Sequence, residues 1–278
     1  MIKICLDAGH YGKYNQSPCN KSYYESEAMW KLTEYLKDEL LTYDNVHVVT
    51  TRKEQEKDLA VYNRGQKAKG YDLFISEHSN AASSETVDYV VVYRSYKNKN
   101  NADELALKLA KAIAETMGTK QTPRTATRKS EKGDWEYYGV LRGADDAGCK
   151  LFYIIENSFH TNPTSTKWLL NDANLKKLAQ VQAKTIADYF KLSKKSTTPS
   201  KSITPDSTKE DIKWAQKRLN EVLPDWFPKL KVDGSYGPKT RIAVLVYWDM
   251  LGWGTHMRDD GTKIGKSTIG ALAELRTK

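Results

Sequence analysis

The chain has 278 residues, 39% of them hydrophobic and 28% charged, with a formal net charge of +9. That is room for one substantial soluble domain plus a smaller one, and no apolar run approaches the 18 residues of a membrane span. The positive excess is diffuse (+3 over residues 1–192, +2 over 193–208, +4 over 209–278), with no basic helix or arginine run, so a polyanionic surface is the expected partner and nucleic acid is not.

The first apolar run, IKICL (2–6), reads as a strand ending in LDAGH, which puts His10 on a glycine-containing turn. Asp7 stands where a secretory h-region would continue, so no signal peptide is expected and synthesis should place the product in the cytoplasm. Cys5, Cys19 and Cys149 are odd in number and widely spaced, which predicts free thiols. YYESEAMWKL then opens a helix over 25–42, with Ala28, Leu32, Leu36 and Leu40 at helical spacing and Glu25 in its first turn. Further strands are predicted at 46–50, 72–76, 88–93 and 151–155, and further helices at 56–69, 101–118 and 174–191. Strands alternating with helices of this length predict an α/β fold with a largely parallel sheet.

In such folds chemistry gathers beyond the carboxyl ends of the strands, and three strand ends are unusual. FISEHSN places His78 past the third strand, on the same face as Phe74 and Ser76, with Glu77 pointing away. LFYIIENSFHTN reads as a strand buried on both faces that runs into Glu156, where an unpaired carboxylate is costly. His10, His78, Glu25 and an open fourth position would make a catalytic zinc site, with Glu156 as general base on the attacking water. Each residue alone has an ordinary alternative: a helix-terminal acid for Glu25, an ion pair with Arg52 or Arg142 for Glu156. His47 within a strand and His256 in a polar loop are not favoured as ligands. A Cys149–His160 nucleophilic pair lacks an acid or amide placed to orient it.

SKKSTTPSKSITPDST (193–208) is rich in Ser, Thr, Lys and Pro and predicts a flexible linker between domains at 1–192 and 209–278. The second domain holds Trp214, Trp226, Trp248 and Trp253 and an internal echo: DGSYGPKTRIAVL from 233 and DGTKIGKSTIGAL from 260. Each pairs a DG turn with a glycine and a threonine expected to cap the next helix, which predicts a small, mainly α-helical module. Most of its tryptophans should be core; one or two, with Tyr236 or Tyr247, are candidates for stacking on sugars.

The blocks DAGHYG (7–12), YYESEAMWKLTEYL (23–36), VVTTR (48–52), NRGQKAKGYDLFISEHSNA (63–81) and YIIENSFHTN (153–162) resemble, in order, the zinc-dependent N-acetylmuramoyl-L-alanine amidases of the type 3 class, found in bacterial autolysins and bacteriophage endolysins. The resemblance covers residues 1–192. It implies a twisted sheet flanked by helices, zinc on His10, Glu25 and His78, and Glu156 as the catalytic carboxylate. Tyr11 and Glu77 depart from the family pattern without removing a ligand. Glu25 is preferred over Glu27, because Ala28, Leu32 and Leu36 then fall where the family's helix keeps its apolar residues. His160 is either a substrate or oxyanion contact or a structural histidine. AQKRLN (215–220) and DGSYGPKT (233–240) resemble three-helix peptidoglycan-binding modules.

The expected protein is a modular hydrolase that cuts the amide between N-acetylmuramic acid and L-alanine, with residues 209–278 on a cell-wall polymer. Its expected setting is a phage endolysin made in the host cytoplasm and released onto the wall. A zinc peptidase acting within the stem peptide and a non-catalytic wall binder are the alternatives.

Overall fold

The computed structural model describes residues 1–97, 103–195, 198–254 and 260–277. Residues 101–102 of a predicted helix, 196–197 of the predicted linker, and His256 lie outside the described residues. The chain divides into two compact units, Met1–Lys194 and Lys195–Lys278.

The first unit runs β1 (Ile2–Ala8), α1 (Glu25–Leu40), β2 (Val46–Thr50), α2 (Val61–Gln66), β3 (Leu73–Asn80), β4 (Val91–Arg94), α3 (Asp103–Met117), β5 (Arg124–Ala126), α4 (Gly139–Asp146), β6 (Leu151–Phe159), α5 (Pro163–Leu169) and α6 (Asp172–Phe190). The six strands form one sheet in the order β2-β1-β3-β6-β4-β5. β2, β1, β3 and β6 are mutually parallel, whereas β4 lies antiparallel to β6 and carries β5 parallel to itself. The expected largely parallel α/β sheet is therefore present, with two reversed strands at one edge.

Ile4, Leu6, Leu73, Ile75, Tyr153 and Ile155 face α1, α3 and α6, while Cys5, Phe74, Phe152 and Ile154 face α2 and α4. Apolar side chains on both faces explain why β1, β3 and β6 read as continuous runs. Leu32 and Leu36 of α1 are wholly buried, each stabilising the fold by roughly 1.5–3 kcal/mol. α2 and α4 meet backbone to backbone: a Cβ on Gly65 would lie 2.1 Å from the Val140 carbonyl oxygen, and one on Gly143 2.1 Å from that of Tyr62.

The second unit contains α7 (Lys209–Val222), α8 (Pro238–Met250) and α9 (Lys266–Ala273) around Trp214, Leu219, Val244, Tyr247 and Leu272. Its internal echo is structural. Asp233 and Asp260 each accept a bond from the N–H two residues on, and Gly234 and Gly261 share a left-handed backbone, φ 78° and 73°. The threonines are not caps. Gly237 and Gly265 hold the N-cap positions, and the buried Thr240 and Thr268 hydroxyls accept from Gln216 Nε2 and Trp248 Nε1 across the core. The predicted linker is also shorter than expected, because Ile203 is fully buried in the second core and exchanges backbone hydrogen bonds with Ile264. Tyr236 and Tyr247 are buried with Trp214 and Trp248, leaving Trp226, 72% exposed, and the half-buried Trp253 as the accessible tryptophans of this unit.

Candidate active site

Beyond β1 the chain makes a tight excursion, with left-handed backbone at His10 (φ 58°), Gly12 (φ 52°) and Asn15 (φ 52°). Such angles in non-glycine residues need surrounding structure to hold them, and α1 supplies it. The first N–H groups of a helix lack intrahelical acceptors. Here Glu25 N–H donates to the Asn15 carbonyl at 3.0 Å, Ser26 N–H to that of Tyr14 at 3.4 Å, and Ser26 Oγ to that of Gly12 at 2.6 Å. The loop thus caps the helix through its backbone. From the other side, buried Arg64 of α2 donates to the Ala8 carbonyl at 2.9 Å and to that of His10 at 3.2 Å.

These constraints bring His10, Glu25 and His78 together, with one donor atom from each lying within 4.8 Å of the others. His78 Nδ1 is 2.9 Å from Glu25 Oε1, and His10 Nε2 is 3.3 Å from Glu25 Oε2. Asn15 Nδ2 ties the pair, 2.7 Å from Glu25 Oε2 and 3.1 Å from His10 Nε2. Gly9 makes room for the imidazole: a Cβ there would sit 2.5 Å from His78 Cε1. Zinc–ligand bonds of about 2.0–2.1 Å in tetrahedral geometry separate donors by roughly 3.3 Å, so two imidazoles and a carboxylate at these spacings fit that ion. Glu27, on the same turn of α1, lies outside the cluster.

The electrostatics suit a cation. Burial by itself would raise the Glu25 pKa, but hydrogen bonds and charge from His10 and His78 outweigh it and hold the carboxyl well below the usual range. At His78 burial works against protonation, and the bond and charge of Glu25 outweigh it, lifting the imidazole to about 9.

Glu156 is the cross-strand partner of His78 in the β3–β6 register, which sets their α-carbons roughly 5 Å apart with side chains on one face. Its Oε2 is shielded from solvent and has no hydrogen-bond partner. Burial, then the charges of Glu25 and Glu77, push its carboxyl up to about 8, with His78 opposing. Neither arginine considered from sequence reaches it: Arg52 donates to the Ala8 and Lys57 carbonyls, and Arg142 to those of Glu136 and Tyr137. What Glu156 meets is the edge of the His–Glu–His cluster.

The family profile described as N-acetylmuramoyl-L-alanine amidase matches residues 4–188, two thirds of the chain. The chain belongs to that family. The family is zinc-dependent, and its members hydrolyse peptidoglycan. Solved structures agree on the fold. An N-acetylmuramoyl-L-alanine amidase from Clostridium difficile 630 superimposes with a TM-score of 0.58 at 19% identity, covering 68% of this chain and 97% of that one. The catalytic domain of CwlV, an amidase of Bacillus (Paenibacillus) polymyxa, gives 0.58 at 18%, covering 69% and 100%. AmiC2 of Nostoc punctiforme gives 0.55 at 20%, covering 68% and 97%. No curated protein sequence matches significantly.

Other residues of the amidase take structural places. His160 is only 4% exposed, with Nδ1 2.8 Å from the Ser79 carbonyl oxygen and 3.9 Å from Glu25 Oε2, so it braces the cluster from behind. Those are the contacts of a supporting histidine. Cys149 is buried, its Sγ donating to the Leu151 carbonyl, and burial drives its thiol up to about 12. It lies at the opposite end of β6 from His160, roughly 30 Å of strand away, so the two form no nucleophilic pair. Glu77 does point away from His78, into the protein. There it accepts from Asn157 Nδ2 at 2.6 Å and Gln182 Nε2 at 3.4 Å, and burial raises its carboxyl to about 7. Sequence reasoning missed Asn15 and Arg64. Asn15 sits in an aperiodic loop, and Arg64 reads as an ordinary charged residue of a short helix.

Proposed function

We propose that this amidase cuts the bond between the lactyl carbonyl of N-acetylmuramic acid and the amine of L-alanine, using zinc on His10, Glu25 and His78 and Glu156 as general base. The observation that carries the proposal is the register pairing of His78 with Glu156, which sets a partnerless carboxylate beside the three donors. Zinc, when bound there, supplies Lewis acidity toward water and the carbonyl oxygen. Glu156 then takes the proton of the attacking water on its carboxylate and returns it to the alanine nitrogen as the amide breaks, which asks for a carboxyl that can hold a proton near neutrality. Asn15 keeps Glu25 oriented between the imidazoles, and Arg64 fixes the turn that carries His10.

The second unit is proposed to hold the enzyme on the wall, supported by its DG-turn repeat, its charge and its accessible Trp226 and Trp253. Tethering of this kind raises the local concentration of scissile bonds. The proposed setting is that of an endolysin, made in the cytoplasm and released onto the wall. End-group analysis of digested Gram-positive peptidoglycan is the test. Newly freed N-terminal alanine without new reducing sugars is expected, abolished by chelation and lowered about 10²–10⁴-fold in Glu156→Gln. Another freed amino group would make the enzyme a stem-peptide peptidase, and full activity of Glu156→Gln would reject the base.

A further inference from the structure

Asn80, two residues beyond His78 on β3, and Phe159, three beyond Glu156 on β6, line a cleft of about 820 Å³ that the reaction as derived leaves unused. The sheet register places it. Glu156 pairs with Val91 of β4, and Val91 pairs with Arg124 of β5, so His78, Glu156, Val91 and Arg124 form one row across four strands. Residues in such a row share a face, and adjacent strands lie about 4.8 Å apart. Arg124 therefore stands roughly 10 Å from Glu156 on the catalytic face. Its guanidinium lies 3.9 Å from the ring centre of Tyr89, and Tyr89 in turn packs edge-on against buried Phe159 at 4.8 Å. The cation is thus held in a fixed place at an exposed position.

The cleft's walls are aromatic (Tyr89, Tyr93, Phe159) and its charged residues, Lys120 and Arg124, are both cations; no carboxylate lines it among the described residues. Neither cation has an ion-pair partner among the described residues. Asp88, which reaches this region through the Lys120 backbone N–H, is also occupied by the Ser158 and Ser165 hydroxyls. Planar guanidinium stacked on an aromatic ring, with its N–H fork free, suits a carboxylate.

Resting on the amidase reading above, we infer that this cleft is the subsite for the leaving stem peptide and that Arg124 receives the carboxylate of the residue after alanine. The lactyl carboxyl of the muramoyl group is consumed in the scissile amide, so the substrate's negative charge near that bond belongs to the peptide. An extended peptide advances about 3.3–3.6 Å per residue. The second residue then lies roughly 7 Å beyond the scissile amide, within the span from Glu156 to Arg124. Arg124 is a specificity residue here and takes no part in the proton transfers.

The test uses the full-length, zinc-loaded chain and two soluble N-acetylmuramoyl peptides, one with a free carboxylate on the residue after alanine and one with that group as a carboxamide. Wild type is expected to prefer the carboxylate by about tenfold or more in kcat/KM, chiefly through KM. Arg124→Ala should lose the preference through a raised KM for the carboxylate peptide, with zinc content retained, and Arg124→Lys should keep part of it. Equal rates on the two peptides in wild type, or a preference that survives Arg124→Ala, would overturn the subsite while leaving the amidase intact. Hydrolysis of neither peptide would overturn the amidase reading, and the subsite with it.

Discussion

Gly65→Ala tests how the two faces of the sheet cooperate at the metal cluster. The added methyl would meet the Val140 carbonyl oxygen at 2.1 Å, the Ala144 nitrogen at 2.5 Å and the Gly143 carbonyl carbon at 2.8 Å. All three are backbone atoms of α4, so no side chain can rotate out of the way. Ordinary contact returns only if α2 retreats by roughly 1 Å, an overpacking that costs about 1–3 kcal/mol. In a unit of this size a loss near 2 kcal/mol lowers the unfolding midpoint by about 4–8 °C. The retreat also carries Arg64 off the carbonyls of Ala8 and His10, loosening the turn that presents His10. Zinc affinity should therefore fall about tenfold. Thermal unfolding and competition with a chromophoric chelator measure the two effects. A midpoint and zinc affinity both equal to wild type would refute the backbone contact and the role given to Arg64.

Chelation should abolish turnover, and zinc at a hundredfold excess over its Kd should raise the stability of the first unit by about 2.7 kcal/mol, read as a concentration-dependent midpoint. His78→Ala should lose that stabilisation; a zinc-dependent midpoint in this variant would remove His78 from the ligand set. Trp248→Phe withdraws the donor to buried Thr268 and should cost the second unit about 1–3 kcal/mol in chemical denaturation, with unaltered hydrolysis of soluble muramoyl peptides. Removing residues 195–278 should likewise leave soluble-peptide hydrolysis intact while abolishing cosedimentation with purified walls. Undiminished cosedimentation would place wall affinity in the first unit.

The features legible in the sequence are those that periodicity and buried-run logic encode. β1, β3 and β6 showed themselves as apolar runs because both faces are covered, and α1 through the spacing of Ala28, Leu32, Leu36 and Leu40. His10, Glu25, His78 and Glu156 were legible because they stand at element ends, where an apolar pattern breaks off at a polar residue. The three residues of β5 and the glycine-rich α4 carry too few positions to display a period. Arg124 was hidden for that reason: only the register of β4 and β5 aligns it with Glu156. Composition averages over a segment such as 193–208, whereas a single residue, Ile203, decides whether part of it packs. Local motifs say where the Thr240 and Thr268 hydroxyls can bond their own helices; only tertiary structure shows Gln216 and Trp248 competing for them.

The strand order has a consequence for synthesis. Among the described residues β6 is the last strand to leave the ribosome, yet it sits between β3 and β4 in the middle of the sheet. Without it, β2-β1-β3 and β4-β5 have no strand to join them, and His10, Glu25 and His78 all precede it in the chain. The residue proposed as the base thus enters with the same strand that closes the sheet. A chain lacking β6 would carry the candidate metal donors without Glu156, so the proposed base and the strand that joins the two parts of the sheet come together.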